Sequence, residues 1–175
     1  MRLLIFIVVG VVAGLIVLVG IAALIGSRLP KSHVASRSIL LRQSPQEVYA
    51  VVRDFGSAPK WRSDVKQMEV EAPQGGPVYF REVGKNGTVN YELVEDVPGQ
   101  RMVTRIRDTD LGYSGQWTYL FAAENSGTRV TIREDGEVSN VLFRFMSRYV
   151  FGHTATMDSY LTSLAKRFGE VAVPQ

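Results

Sequence analysis

The chain contains no cysteine and only two histidines among its 175 residues. The missing cysteine excludes disulfide bonds, a lipid-modified N-terminal cysteine and thiolate ligands for zinc. His33 and His153 are far apart in the chain, so they do not form a ligand pair of recognisable spacing. We therefore predict no metal site and no bound cofactor.

Charged residues are missing from residues 3–25, a run of 23 residues that also lacks proline. As a helix this run spans about 35 Å, more than the roughly 30 Å of a bilayer core. A cleaved signal peptide is the competing interpretation, but its apolar region covers about 7–15 residues and ends at small residues. The length of the run and the poor cleavage site "LIGSRLP" favour an uncleaved, single-pass anchor. We assign residues 1–32 to this anchor and its linker.

Within the predicted span, Gly10 and Gly14 have the G-x-x-x-G spacing that lets two membrane helices approach closely. This pair allows weak self-association, although glycine is also simply common in membrane helices. The basic residues that follow the span favour a cytoplasmic position for the rest of the chain. Arg37 and Arg42 weaken this argument, because they belong to the folded domain as readily as to the flank.

The isoelectric point near 9.3 does not indicate a nucleic-acid-binding protein. Arg2, Arg28 and Lys31 flank the predicted span and account for the whole net charge of +3. The remainder has 17 basic and 17 acidic residues. A neutral domain without a basic stripe argues against binding to a phosphate backbone, whereas the basic flanks suit lipid headgroups.

Residues 33–175 are enough for one domain with a sizeable core. A strand is predicted over residues 33–42, and a helix over residues 44–55, ended by Gly56. Ser44 and Glu47 have the spacing of a capping box, with Pro45 at the first helical position. Alternating or apolar segments then predict six further strands: residues 65–72, 77–83, 88–96, 101–108, 115–124 and 128–138. The residues 125–127 are predicted to turn the chain between the last two.

Apolar residues at three- and four-residue steps predict a helix of about 25 residues from Phe143 to Phe168, with Gly152 as a weak point. The sequential strands predict an antiparallel meander, and this helix is the only segment long enough to cover it. The fold class is therefore α+β. A curved antiparallel sheet wraps around a long C-terminal helix, in the helix-grip arrangement, after one transmembrane helix. Such an arrangement leaves room for an apolar cavity between sheet and helix.

The order of elements, together with "SPQEVYAVVRDFGSAPKWRSDV" (44–65), "RMVTRI" (101–106), "GQWTYLF" (115–121) and "GTRVTIREDGEV" (127–138), resembles a known family. It is similar to the START/Bet v 1-like (SRPBCC) superfamily, and within it to the polyketide cyclase/dehydrase-like branch. The resemblance covers about residues 33–170. It implies a cavity that holds a hydrophobic ligand, but the superfamily contains carriers, receptors and cyclases, so the resemblance leaves the function open.

The resemblance also implies ligand-binding positions. The sheet would supply Tyr91, Trp117, Tyr119 and Phe121, and the C-terminal helix would supply Met146, Val150, His153 and Met157. Trp61 would lie near one mouth of the cavity. Strand parity is ambiguous at residues 101–107. If Arg105 points inward it binds a ligand anion or an acid, and if it points outward it pairs across strands.

No catalytic residue is assigned, because G-x-S-x-G and P-loop patterns are absent and "DFG" (54–56) lacks the rest of a kinase. The preferred hypothesis is a membrane-anchored binding or carrier domain for a hydrophobic small molecule or lipid. The alternatives are a cyclase or dehydratase enzyme, using His153, Tyr91 or Asp64, and an interaction domain with a filled cavity. In the stretch "DFGSAPKWRSDV", Trp61 is predicted to gate the cavity, and Arg62 and Asp64 to have a surface or hinge role.

Overall fold

Alternating side chains after residue 31 build one antiparallel sheet of seven strands. The computed structural model describes residues 1–85, 87–124 and 127–175. The strands are β1 (Ser32–Leu41), β2 (Val65–Glu71), β3 (Tyr79–Gly84), β4 (Gly87–Val97), β5 (Arg101–Ile106), β6 (Tyr113–Glu124) and β7 (Gly127–Val138). Each lies within two residues of its predicted bounds at either end. The turn predicted over residues 125–127 falls on Asn125 and Ser126, which lie outside the described residues.

The sheet has the order β1-β7-β6-β5-β4-β3-β2, so successive strands from β2 onward are neighbours, as predicted for a meander. All the pairings are antiparallel. β1 joins the far side of the sheet beside β7, and the chain then crosses to the opposite edge before β2 begins. This crossing curves the sheet around the apolar face that the helices cover.

The connection between β1 and β2 contains the predicted capped helix. Helix α2 (Pro45–Arg53) begins at a complete capping box, in which the Ser44 side chain accepts from Glu47 and the Ser44 N–H donates to the Glu47 carboxylate. The prediction of the helix start is confirmed. The helix ends at Arg53 rather than near Gly56, and a 3-10 turn (Phe55–Lys60) continues from it. Val48 and Val52 anchor α2 in the core.

The C-terminal helix is shorter than predicted, because the chain breaks at Gly152. A short helix α3 (Val141–Met146) and a π-helical turn (Ser147–Phe151) precede the break, and α4 (Ala155–Arg167) follows it. Gly152 has a φ of 74°, in the left-handed region that favours glycine. The predicted continuous helix of about 25 residues is therefore wrong, while the helix-grip fold is confirmed with α4 as the gripped helix.

Helix α4 and the sheet enclose the core. Met157, Leu161 and Leu164 of α4 are completely buried against β1 and β7, where Val130 and Ile132 are also completely buried. Burying a side chain of this size contributes about 1.5–3 kcal/mol relative to exposure. This packing closes one end of the space between α4 and the sheet.

Helix α1 (Arg2–Arg28) precedes the sheet, and its last turns pack on α3. Gly26 is the only buried residue among those of α1 whose side chains are described, and it faces the Val141 carbonyl. The buried guanidinium of Arg144 fixes this contact. It donates to the carbonyls of Leu29, Val138 and Ser139 at 2.9, 3.0 and 3.0 Å.

The contact between α1 and α3 depends on a missing side chain. A Cβ at Gly26 would collide with the Val141 carbonyl, whereas a Cβ at Gly20 would meet no atom within 4 Å. Alanine favours a helix by about 1 kcal/mol over glycine, so Gly20→Ala is expected to be neutral or stabilising. Gly26→Ala is expected to separate the two helices and speed amide hydrogen exchange in α3. Equal exchange in the two variants would contradict this packing.

Candidate functional site: a cavity between the sheet and the last helix

A cavity of about 750 Å³ lies between the concave face of the sheet and α4. Strands β4, β5 and β6 form one wall, and Thr156 and Tyr160 of α4 face them. The 3-10 turn and the segment from α3 to Gly152 form the remaining walls. The cavity has the size that is usual for small-molecule sites, about 300–1,000 Å³.

The mouth of the cavity lies at the end of the sheet where α1 also ends. Gly84 pairs with Gly87 at the β3–β4 turn, Tyr113 pairs with Val138, and Ser32 pairs with Glu137. These pairs put the β3–β4 turn, the start of β6, the end of β7 and the start of β1 at one end. The cavity reaches this end, because Gly84, Gly87, Ser114 and Glu137 belong to its lining.

Five of the ten predicted positions line the cavity, and five do not. The five that line it are Trp61, Tyr91, Trp117, Tyr119 and His153. The five outside its lining are Arg105, Phe121, Met146, Val150 and Met157. Contact of these positions with a ligand stays a prediction, and the second group lies outside the lining of this cavity.

Strand parity explains the position of Arg105. Met102, Thr104 and Ile106 point inward, and Thr104 and Ile106 line the cavity. Arg105 therefore points outward, where its Nε donates to the Glu92 carboxylate at 2.6 Å. The ambiguity in this strand is settled in favour of a cross-strand ion pair.

The other four positions are displaced for two reasons. Phe121 and Met157 belong to the packed core, beyond the closed end of the cavity. Met146 and Val150 precede the break at Gly152, so they do not continue the apolar stripe of α4. Val150 is instead 58% exposed.

Aromatic rings surround Tyr160, which the sequence interpretation missed. Its ring lies 5.3 Å from that of Trp61, 5.9 Å from that of Trp117 and 5.8 Å from that of Tyr119. Thr156 and Tyr160 are four residues apart on α4, so they share one face. That spacing would have predicted Tyr160 if the start of α4 had been known.

Burial raises the pKa of the Tyr91, Tyr119 and Tyr160 hydroxyls above the usual tyrosine range. The hydroxyls therefore stay protonated near neutral pH and can donate hydrogen bonds to a ligand oxygen.

A buried ion cluster lies beside these rings. Arg62, only 8% exposed, donates from Nη1 to Glu82 and from Nη2 to Asp64, each at 2.7 Å. Burial lowers the pKa of Arg62, but the charge of Glu82 and the hydrogen bonds that Arg62 donates to both carboxylates outweigh it and raise that pKa. The prediction of a surface or hinge role is wrong for Arg62, which is buried, whereas Asp64 also lines the cavity but keeps a side chain that is 36% exposed.

Two donors in this region lack partners. Within residues 1–85, 87–124 and 127–175, the buried Nε of Arg62 and the buried Nε1 of Trp61 make no hydrogen bond. A buried donor without an acceptor costs about 1–3 kcal/mol. Both residues line the cavity, but these two nitrogen atoms are themselves buried, so a ligand would reach them only after a rearrangement of the side chains.

A second polar cluster joins the two histidines nearer the mouth. His33 Nε2 lies 3.0 Å from Glu134 Oε1, and Trp117 Nε1 donates to Glu134 Oε2 at 2.8 Å. The His153 ring stacks on the His33 ring at a centroid distance of 4.0 Å. Gly136 makes room for this arrangement, because a Cβ there would collide with the His33 ring. The sequence does not reveal that His33 and Glu134 are neighbours, because 101 residues separate them. The pairing of β1 with β7 brings them together.

The ionisable lining of the cavity is acidic overall. It contains the carboxylates of Asp64, Glu82 and Glu134 against the cation of Arg62, while the lining residues Lys85 and Glu137 are exposed at its end. Residues 1–85, 87–124 and 127–175 contain no group of three or more side chains that could hold a metal ion. The cavity therefore combines apolar rings, neutral hydroxyl donors and an excess of negative charge.

The family of this chain follows from these features and from its sequence. Residues 32–169 match the family described as polyketide cyclase/dehydrase and lipid transport, and the chain belongs to that family. A search of the curated proteins finds no match to the chain.

Solved structures share the fold at low sequence identity. A START superfamily protein from Mycobacterium smegmatis is 16% identical with a TM-score of 0.61, over 77% of this chain and 96% of that one. Norcoclaurine synthase from Thalictrum flavum is 10% identical with a TM-score of 0.62, over 79% and 87%. The di-domain protein StfQ from the steffimycin biosynthetic pathway is 15% identical with a TM-score of 0.61, over 79% of this chain. This chain spans 52% of StfQ, about half its length.

The two arginine–carboxylate clusters give a matched comparison. Arg62→Met leaves the partly buried Glu82 and the more exposed Asp64 without their cation, and we expect the free energy of unfolding to fall by roughly 1.5–3 kcal/mol. Arg105→Met removes an exposed ion pair and is expected to change it by about 1 kcal/mol or less. Urea denaturation of both variants measures the difference. Similar losses in the two variants would contradict the structural role of Arg62.

The His153 side chain is expected to make stability depend on pH. Burial and the neighbouring His33 lower the pKa of His153 from its ordinary value of 6.5, although Glu134 opposes them. The unfolded chain therefore binds a proton before the folded protein does. The contribution of His153 to the free energy of unfolding is complete above pH 6.5. It is lost as the pH falls through that value towards the lower pKa of His153 in the folded protein.

Replacement of His153 tests this linkage. His153→Gln should flatten the decrease in urea midpoint between about pH 7 and 5. A decrease of the same size in the variant and the parent would show that other groups cause it.

Proposed function

We propose that the protein is a membrane-anchored binding or carrier domain for a hydrophobic small molecule or lipid, held between the sheet and α4. The observation that carries the proposal is the cavity of about 750 Å³, lined by tryptophan and tyrosine and continuous to one end of the sheet. Family membership is consistent with this role, because its description includes lipid transport.

The charges of the lining support an uncharged ligand. Arg62 is already paired with two carboxylates, so it does not offer a free cation to a ligand anion. A fatty-acid carboxylate or a phosphate group would face the excess acidic side chains at a cost in free energy. A neutral molecule with a few oxygen atoms would instead accept from the tyrosine hydroxyls that line the cavity.

Anchoring by α1 forms the second part of the proposal. Its residues Leu4–Arg28 are long and apolar enough to cross a membrane. The ligand would then be taken from a bilayer beside the cavity. A cytoplasmic position of the domain, and self-association through Gly10 and Gly14, remain predictions that follow from the basic flank and the glycine spacing.

One observation favours an enzyme of the cyclase or dehydratase type as a second candidate. The stacked imidazoles and Glu134 are a set of proton donors and acceptors in the cavity, which general acid–base catalysis requires. In that case a bound ligand should change mass or isomeric form during incubation, and His153→Gln should slow the change. The filled-cavity alternative is not supported, because the side chains leave the cavity open.

Extraction of the purified full-length chain tests the binding proposal. We expect native mass spectrometry in mild detergent to reveal a bound neutral lipid or other hydrophobic molecule. Thr156→Trp, which places a large side chain in the cavity, should abolish this binding, while Ser159→Trp on the same helix and outside the lining should retain it. Failure of the parent chain to take up any member of a neutral-lipid panel would refute the proposal.

Trp61 is expected to control access to the cavity. Its ring lines both the cavity and a shallow groove beside α2 and Arg167, so the indole separates the two. Trp61→Ala should accelerate exchange of a fluorescent neutral lipid analogue, and Trp61→Phe should have a smaller effect. If Trp61→Ala lowers the urea midpoint and leaves the exchange rate unchanged, Trp61 is a core residue only.

A further inference from the structure

The segment Val141–Phe151, here called the rim segment, exposes apolar side chains that the domain does not bury. Tyr149, Val150 and Phe151 are 60%, 58% and 56% exposed, and Leu142 and Phe143 are each 39% exposed. A contiguous exposed apolar surface on a soluble domain usually marks an interaction site. The rim segment therefore requires a partner surface.

The position of α1 indicates what this partner is. The rim segment begins with α3, which packs on the last turns of α1 around Gly26, and Arg144 ties it to the Leu29 carbonyl. Residues 22–26, the last turn of α1 before and including Gly26, span only about 6 Å along the helix axis. The contact with α3 therefore lies within about 6 Å of the end of the apolar run. If α1 crosses a membrane, α3 therefore lies at the depth where the apolar run ends and the headgroups begin.

The charges around the rim segment fit the same position. Residues 138–157 contain no acidic residue and are flanked by Glu137 and Asp158, and the first acidic residue of the chain is Glu47. Arg28, Lys31 and Arg148 are exposed. Aromatic rings and basic side chains together are typical of protein segments that lie at a membrane interface, and basic residues favour anionic lipids.

The rim segment also forms part of the cavity. Phe143, Ser147 and Phe151 line the cavity, while the neighbouring Tyr149 and Val150 face outward. The segment ends at Gly152, whose φ of 74° turns the chain towards His153 and α4. One short segment thus contributes both to the exposed apolar surface and to the cavity wall.

We propose that the rim segment lies at the boundary between headgroups and acyl chains of the bilayer that α1 crosses, so that the cavity opens directly onto that bilayer. This inference rests on the proposed function, in which α1 is the anchor. A hydrophobic ligand would then move between bilayer and cavity without crossing water. The occupant of the apolar surface is lipid, and a second copy of the chain is the competing outcome.

The absence of native cysteine allows a direct test with the full-length chain. Val150→Cys is labelled with an environment-sensitive fluorophore, and the protein is reconstituted into vesicles of phosphatidylcholine and phosphatidylglycerol containing a lipid with a nitroxide near the headgroup. Matched controls are Val70→Cys, at an exposed site on β2, and Leu18→Cys within α1. Labels at exposed positions leave the packing of the domain unchanged.

We expect the nitroxide lipid to quench the label at Val150 strongly and the label at Val70 no more than a water-soluble protein control. Quenching at Val150 no greater than at Val70 would overturn the proposal. Shielding of Val150 that depends on protein concentration, without quenching by lipid, would also overturn it in favour of a second copy. The Leu18 label, probed with a nitroxide deep in the acyl chains, reports separately on anchoring. A quenched Leu18 with an unquenched Val150 would therefore leave the proposed function intact.

Discussion

The three hydrogen bonds from the Arg144 guanidinium hold together the parts of the molecule on which its architecture depends. They join the carbonyl that follows α1, the end of β7 and Ser139, which precedes the N-cap residue of α3. Hydrogen bonds from a charged donor are worth about 1.5–3 kcal/mol each. This single side chain therefore ties α1 and α3 to the end of the sheet. Gly26 complements it, because the close approach of α1 that Arg144 secures is sterically possible only without a Cβ.

The cavity reflects a compromise between packing and space. Side chains that face an open volume lose dispersion contacts, which a fully packed core would provide. Around Tyr160 the edge-to-face arrangement of the rings of Trp61 and Trp117 recovers part of this loss, because such pairs are worth about 0.5–1.5 kcal/mol beyond their buried area. The aliphatic core beyond the closed end supplies the remaining stability. Phe55, Phe80, Tyr119 and Tyr160 belong both to the core and to the lining, so the core and the cavity share a wall.

Much of the fold could be predicted from the sequence, because it depends on local patterns. Ser44 and Glu47, which are three residues apart, define the start of α2. Alternating side chains identify the strands. The candidate site depends on other information. Arg62 acquires its role from Glu82, which is 20 residues away, and His33 meets Glu134 across 101 residues. The break at Gly152 takes Met146 and Val150 off the apolar stripe that Met157, Leu161 and Leu164 form in α4. Periodicity does not reveal whether a glycine takes a left-handed conformation, so Val150 was placed inside while Tyr160 was missed.

The linker between α1 and the sheet is very short, and this has a mechanical consequence. The Lys31 carbonyl accepts from the Val138 N–H at 2.9 Å, and His33, two residues later, already reaches Glu134 in the cavity. No slack chain separates the predicted anchor from the ligand-facing wall. If α1 crosses a membrane as proposed, a change in its tilt, such as a thinner or thicker bilayer imposes, would move β1 and with it the polar end of the cavity. The thickness of the membrane would then alter the shape of the cavity.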